Sequence, residues 1–236
     1  MMSSNANPSI DPADEDSLIG TLKFAFSKMM QDVNGMLPAR VVAFDRATNR
    51  ASVEILIAVL TTEGTQVPRA QLASVPVFTL GGGGFMINFN LLPGDLGWIK
   101  ANDRDISLFL QSYGNVKPNT LRKNNFSDSV FFPDVMRNYT INGEDDDNLV
   151  LQNLDGTIRI SLFDDKIKMT AQADSGAAQT YVEITSDETT IYAQDVTGAI
   201  NSNMVVSPTG ITMLLNAGTG TLAVTGNITA TGTIIP

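Results

Sequence analysis

The chain of 236 residues contains no cysteine and no histidine. These absences exclude disulfide frameworks, thiol nucleophiles, the usual zinc sites and every Ser-His or Cys-His catalytic pair. Tryptophan occurs once, and no run approaches about 18 consecutive apolar residues, so no segment reads as a membrane-spanning helix. Positive charge is scarce: 15 Lys and Arg stand against 25 Asp and Glu, and the pI is near 4.3. Affinity for phosphate backbones comes from Lys and Arg displacing counterions, so no nucleic-acid partner is expected. The opening Met1-Met2-Ser3-Ser4 lacks the basic-then-apolar order of a secretory signal, which points to synthesis in a cytoplasm. With no covalent or metal staple, the fold must rest on packing, backbone pairing or association with other copies.

Charge divides what is present. Residues 1–136 hold 11 basic and 13 acidic side chains, residues 137–236 hold 4 and 12, and from Val196 to Pro236 there is no Lys, Arg, Asp or Glu at all. The composition and its breaks give four regions: a polar lead and helix over 1–36, a small barrel over 37–116, a connector over 117–148 and a strand-rich segment over 149–236.

In the first region Asp14-Glu15-Asp16-Ser17 places acidic groups where a helix N-terminus favours them. Leu18, Leu22, Ala25, Met29 and Val33 then recur at helical steps, with Ile19, Phe26 and Met30 widening the stripe, and Gly35 and Pro38 end it. Such a helix packs on its own domain or docks on a neighbouring subunit.

The second region reads as strands. Arg40–Phe44 and Ala51–Ile57 flank a polar turn and form a hairpin. Ser74–Phe78 leads through Gly81–Gly84 into Phe85–Phe89 as a second pair, and Pro93-Gly94-Asp95 turns the chain into Leu96–Lys100. Ile106, Leu108 and Leu110 alternate at the end. Five or so short strands with Gly and Pro turns suggest a small closed barrel.

The last region carries short β segments at Leu149–Leu151, Ile158–Leu162, Ile167–Met169, Tyr181–Ile184, Thr190–Ala193, Met204–Val206, Ile211–Leu215, Thr221–Thr225, Ile228–Thr231 and Thr233–Ile235. They recur every eight to ten residues or so, with turn residues between them. Alternation gives each strand one apolar face, yet under about ninety residues of such short strands cannot enclose a core alone, and their edges would be open. Three copies wound about one axis remove both difficulties. The expected fold class is therefore mainly β: an N-terminal helix, a small barrel and an intertwined trimeric β-helical needle. Its inward residues would be Ile158, Ile160, Leu162, Ile167, Met169, Val182, Ile184, Ile191, Val205, Ile211, Met213, Leu222, Val224, Ile228 and Ile234.

Leu37-Pro38-Ala39-Arg40-Val41-Val42-Ala43-Phe44-Asp45, then Pro76-Val77-Phe78 with Gly81 to Gly84, then Gly94-Asp95 and Asp103-Arg104 resemble the N-terminal barrel of central spike proteins from contractile phage tails. Leu222-Ala223-Val224-Thr225-Gly226-Asn227-Ile228-Thr229-Ala230-Thr231-Gly232-Thr233-Ile234 is similar to the closing strands of their trimeric β-helical needles. The resemblance implies a virion component of the tail baseplate. It would be a homotrimer with a barrel of the oligonucleotide/oligosaccharide-binding type, held by the tail hub, and a needle that perforates the host outer membrane. Some relatives end in a His-x-His iron site, which a chain without histidine lacks, so neither a metal ligand nor a cofactor is implied. Ile234, Ile235 and Pro236 would then meet a separate tip-capping protein.

The residues offer little chemistry of their own, and no enzyme is expected. Gly81–Gly84 precedes a strand-like run, not the helix a phosphate cradle needs, and reads as a hairpin tip. Glu144-Asp145-Asp146-Asp147 lacks the alternating spacing of a calcium loop and reads as a solvated, self-repelling connector. Trp98, beside Leu96 and Ile99, reads as packing. The alternative function is a trimeric tailspike that binds or depolymerises glycans, for which Asp164, Asp165, Glu183, Asp187 and Glu188 are the available carboxylates.

Overall fold

The computed structural model describes residues 17–31, 33–61, 64–136, 139–173, 177–199 and 201–215, and the chain divides into two units, Met1–Arg137 and Asn138–Pro236. The protein is mainly β, as its composition and periodicity imply. Among the described residues no helix is long and apolar enough to cross a membrane.

The first unit opens with α1 (Leu18–Gln31), where the Ser17 hydroxyl oxygen accepts from the Gly20 N–H at 3.0 Å and caps the helix. There follow β1 (Met36–Asp45), β2 (Arg50–Ile55), β3 (Val59–Leu60), β4 (Gln66–Val67), β5 (Leu72–Pro76), β6 (Leu80–Gly82), β7 (Phe85–Ile87), β8 (Leu96–Asn102), the short α2 (Phe109–Ser112) and β9 (Asn125–Pro133). Five of the strands form one antiparallel sheet in the order β5-β2-β1-β8-β9. Its two ends meet where Val77 bridges Phe131 and the Phe78 N–H donates to the Phe131 carbonyl at 2.8 Å, so the sheet curls into a nearly closed small barrel. Alternation along β2 buries Ala51, Val53 and Ile55, and these pack with Val41, Val75, Ile99, Phe126 and Phe131 inside.

Two expectations change here. The barrel does not end near Val116: β9 supplies its closing strand from inside the segment read as a connector. That strand was obscured by Ser127-Asp128-Ser129 at its centre, yet Asp128 and Ser129 are buried. Arg122 makes the burial tolerable by donating to Asp128 at 3.0 and 3.1 Å. The same guanidinium reaches Asp105, which also accepts from the Thr120 hydroxyl at 2.7 Å, so the loop before β9 is pinned by buried carboxylates. The second hairpin is also differently made, since β5 pairs with β2 while β6 pairs with β7 around Gly83 and Gly84, both at positive φ. Trp98 is half-buried and its indole N–H donates to Asp134 at 2.6 Å.

At Gly97 the β8 backbone lies directly against β9. A methyl group there would overlap the Phe132 carbonyl oxygen and the ring of the fully buried Phe131. Gly97→Ala is therefore expected to cost about 1–3 kcal/mol or more by overpacking. Calorimetry should show a lower unfolding midpoint for Gly97→Ala and none for Gly82→Ala, whose surroundings are open.

The second unit is a meander of β10 (Leu149–Gln152), β11 (Ile158–Leu162), β12 (Lys166–Gln172), β13 (Gln179–Thr185), β14 (Thr189–Gln194), β15 (Asn201–Ser207) and β16 (Gly210–Leu214), preceded by a 3-10 turn at Gly143–Asp145. Each strand pairs antiparallel with the next, giving one seven-stranded sheet in chain order. The strands expected beyond Leu215, with Leu222, Val224, Ile228, Ile234, Ile235 and Pro236, lie outside the described residues.

Candidate functional site

Directly opposed residues of antiparallel strands project to the same face, so the register sorts the second unit's side chains without ambiguity. One row runs Leu149, Leu162, Ile167, Ile184, Thr189, Val206, Ile211. The row beside it runs Leu151, Ile160, Met169, Val182, Ile191, Met204, Met213. Apart from Thr189, both rows are apolar, and every one of the seven strands contributes to them. The rows on the opposite face read Val150, Ser161, Lys168, Glu183, Thr190, Val205, Thr212 and Gln152, Arg159, Thr170, Tyr181, Tyr192, Asn203, Leu214.

Burial inverts the usual relation of these faces to water. On β11 the apolar Ile158 and Ile160 are 61% and 39% exposed, whereas Arg159 and Ser161, which point to the other face, are 3% and 1% exposed. Leu149, Leu151, Leu162, Ile167, Met169, Ile184, Ile191, Val206, Ile211 and Met213 are exposed as well. A folded monomer rarely shows water a contiguous apolar patch beyond a few hundred Å², and larger ones mark binding surfaces.

Over β11 and β12 the polar face is the covered one, with Arg159, Ser161 and Thr170 buried, and the acidic run holds that cover. Over β13–β15 this face is half-buried, and at β16 Thr212 and Leu214 are exposed. The reading of Glu144–Asp147 as a solvated connector is corrected: Asn142 caps the 3-10 turn, and Asp145 is 1% exposed. Arg159 Nε lies 2.8 Å from Asp145 Oδ2, an ion pair too bent to be a hydrogen bond, and Arg159 Nη2 also pairs with Glu144. Lys168 Nζ donates to Glu144 Oε2 at 3.0 Å. Sheet cations thus neutralise carboxylates that would otherwise repel one another, a partnership separated by some fifteen to twenty-five residues and so invisible in the run itself. Further along this face Tyr181 and Tyr192 stack with centroids 4.8 Å apart, and Lys168 sits over the Tyr181 ring.

Burial pushes the Glu144 carboxyl up, but hydrogen bonds and charge from Lys168 and Arg159 outweigh it and hold the pKa below its ordinary 4.5. In the barrel, hydrogen bonds from Ser107 and Thr120, helped by the Arg122 charge, hold Asp105 far below its ordinary 3.8 against burial. Groups with depressed pKa values stabilise the fold above their unfolded values and lose that contribution as pH falls through the folded ones. Thermal stability is therefore expected to be flat above about pH 5 and to decline below about pH 4, with Asp105→Asn flattening part of the decline. Melting curves across pH 2–7 check this.

The expected inward residues Ile158, Ile160, Leu162, Ile167, Met169, Val182, Ile184, Ile191, Ile211 and Met213 all fall on the apolar face. Val205 does not. It sits between Thr190 and Thr212 on the polar face, while Met204 and Val206 take the apolar positions. Leu149 and Leu151 also belong to the apolar rows; because Leu149-Val150-Leu151 is a continuous apolar run, their pairing with Leu162 and Ile160 is what places them there. Of the carboxylates considered for glycan cleavage, Glu183 pairs with Lys166 at 3.0 Å, whereas Asp164, Asp165, Asp187 and Glu188 lie in or beside the turns following β11 and β13. Gly81–Gly84 forms the β6-β7 tip.

A nearly closed five-stranded barrel and a separate antiparallel sheet with one largely apolar face define a mainly β protein. Residues 37–134 match the family described as Phage protein Gp138 N-terminal domain, a span that begins with β1 and ends just beyond β9. The match supports a phage structural protein. No curated protein matches the chain significantly.

Proposed function

We propose that the chain is the homotrimeric central spike of a contractile phage tail baseplate. In this reading the barrel attaches to the tail hub, and the C-terminal part perforates the host outer membrane on sheath contraction. One observation carries it: the second unit's sheet leaves its apolar rows exposed to water on every strand, while over β11 and β12 its polar side is covered by the acidic turn. Three such sheets facing inward around one axis would bury those rows against each other and present Lys166, Lys168 and Glu183 outward. The resulting column resists force collectively, because its ladder hydrogen bonds and interlocked core share load among strands.

The uncharged stretch from Val196 onward suits the penetrating end. Each ionised group driven to the bilayer centre would cost about 2.5 kcal/mol or more, and Ser, Thr and Asn cost less. A separate capping protein would meet Ile234, Ile235 and Pro236. The phage-domain match supports a virion component, and the baseplate position is part of the proposal.

Immunogold labelling with an antibody raised to this chain is expected to mark the tail end of intact particles. Label on the capsid or along the sheath would overturn the assignment. Incubation with lipopolysaccharide or capsule should release no sugar fragments, and turnover lost on Asp164→Asn or Glu183→Gln would establish the tailspike enzyme instead.

A further inference from the structure

The first helix is left bare in the same manner as the sheet. Leu18, Ile19, Leu22, Phe26, Met29 and Met30 are each more than half exposed. A helix of this length is marginal in water without tertiary packing, so α1 needs a cover. Its exit is nevertheless fixed to the barrel: the Asn34 N–H donates to the Asn124 carbonyl at 3.1 Å and the Ala101 N–H to the Gly35 carbonyl at 3.0 Å.

The spacing of the bare residues suits packing against other helices. Ile19, Leu22, Phe26 and Met29 follow one another at steps of three, four and three, the alternation that lets like helices interlock knobs into holes. Leu18, Ala25 and Met30 flank that seam, while Thr21, Ser27 and Lys28 lie on the other side, where Lys28 sits over the Phe24 ring. Such a stripe, broader than a two-helix seam, fits a helix facing the core of a bundle. We infer that α1 packs against the α1 helices of two further copies, forming a parallel three-helix bundle that joins the protomers at their N-terminal side. The inference rests on the trimer proposed above and adds a second contact, remote in sequence from the sheet, that sets the protomers in register before the barrels.

The chain's lack of cysteine makes the test clean. Phe26→Cys and Ile19→Cys place a single thiol on the seam, and Lys28→Cys places one on the outer side. Each full-length variant is treated with a short-armed trifunctional maleimide and read on a denaturing gel, with its native mass taken by light scattering. Both seam variants are expected to form covalent two- and three-chain species at least tenfold faster than Lys28→Cys, all three keeping a three-chain mass. Equal, slow cross-linking at a three-chain mass would overturn the helix bundle and leave the trimer standing. A one-chain mass in Lys28→Cys and in the unmodified chain would overturn the trimer itself, and the bundle with it.

Discussion

Ile160→Asp is expected to abolish assembly of the full chain. Ile160 lies within an apolar row, flanked by Leu151 and Met169, and in the proposed trimer it has no polar partner within its own sheet. Breaking up a buried pair and leaving one charge uncompensated costs about 3–5 kcal/mol. Three copies would therefore lose on the order of 10 kcal/mol, comparable with the whole stability of an ordinary domain. Val205→Asp is the control. It introduces the same carboxylate one strand position away from Met204 and Val206, on the polar face, and should leave the mass unchanged. If both variants assemble, or if only Val205→Asp fails, the apolar face is not the interface.

Arg159→Met should destabilise the second unit strongly. Asp145 is almost fully buried, its carboxylate oxygens have no hydrogen-bond donor among the described residues, and Arg159 supplies the charge that offsets it. Removing that partner should cost about 3–5 kcal/mol. At roughly 4–8 °C per kcal/mol for a unit of this size, the melting midpoint should fall by more than about 10 °C. Combining Arg159→Met with Asp145→Leu removes both charges and should recover most of the loss, which a double-mutant cycle on thermal midpoints measures. A double variant as unstable as the single one would show that Asp145 does not depend on Arg159.

The meander was legible because period-two alternation is a local property: Ile158-Arg159-Ile160-Ser161-Leu162 announces its strand and both faces without outside information. The helix was legible for the same reason. Where an apolar run is continuous, as in Met204-Val205-Val206, alternation says nothing, and only the opposed residues Ile191, Thr190 and Thr189 decide which side chains face which way. The closing strand β9 was hidden because Asp128 and Ser129 look like turn residues until Arg122 and the barrel interior are in place. The acidic turn at Glu144 and Asp145 was misread on similar grounds, since the cations that bind it arrive later in the chain. The inversion of burial, polar inside and apolar outside, belongs to the sheet and its cover together. No single strand displays it.

Light scattering of the purified chain over a dilution series tests the central claim most directly. The account predicts three times 25.3 kDa, persisting on dilution until the β signal and the mass are lost together. A particle of 25.3 kDa that keeps its full β signal in dilute solution would contradict it, because the sheet would then stand folded with its apolar rows in water.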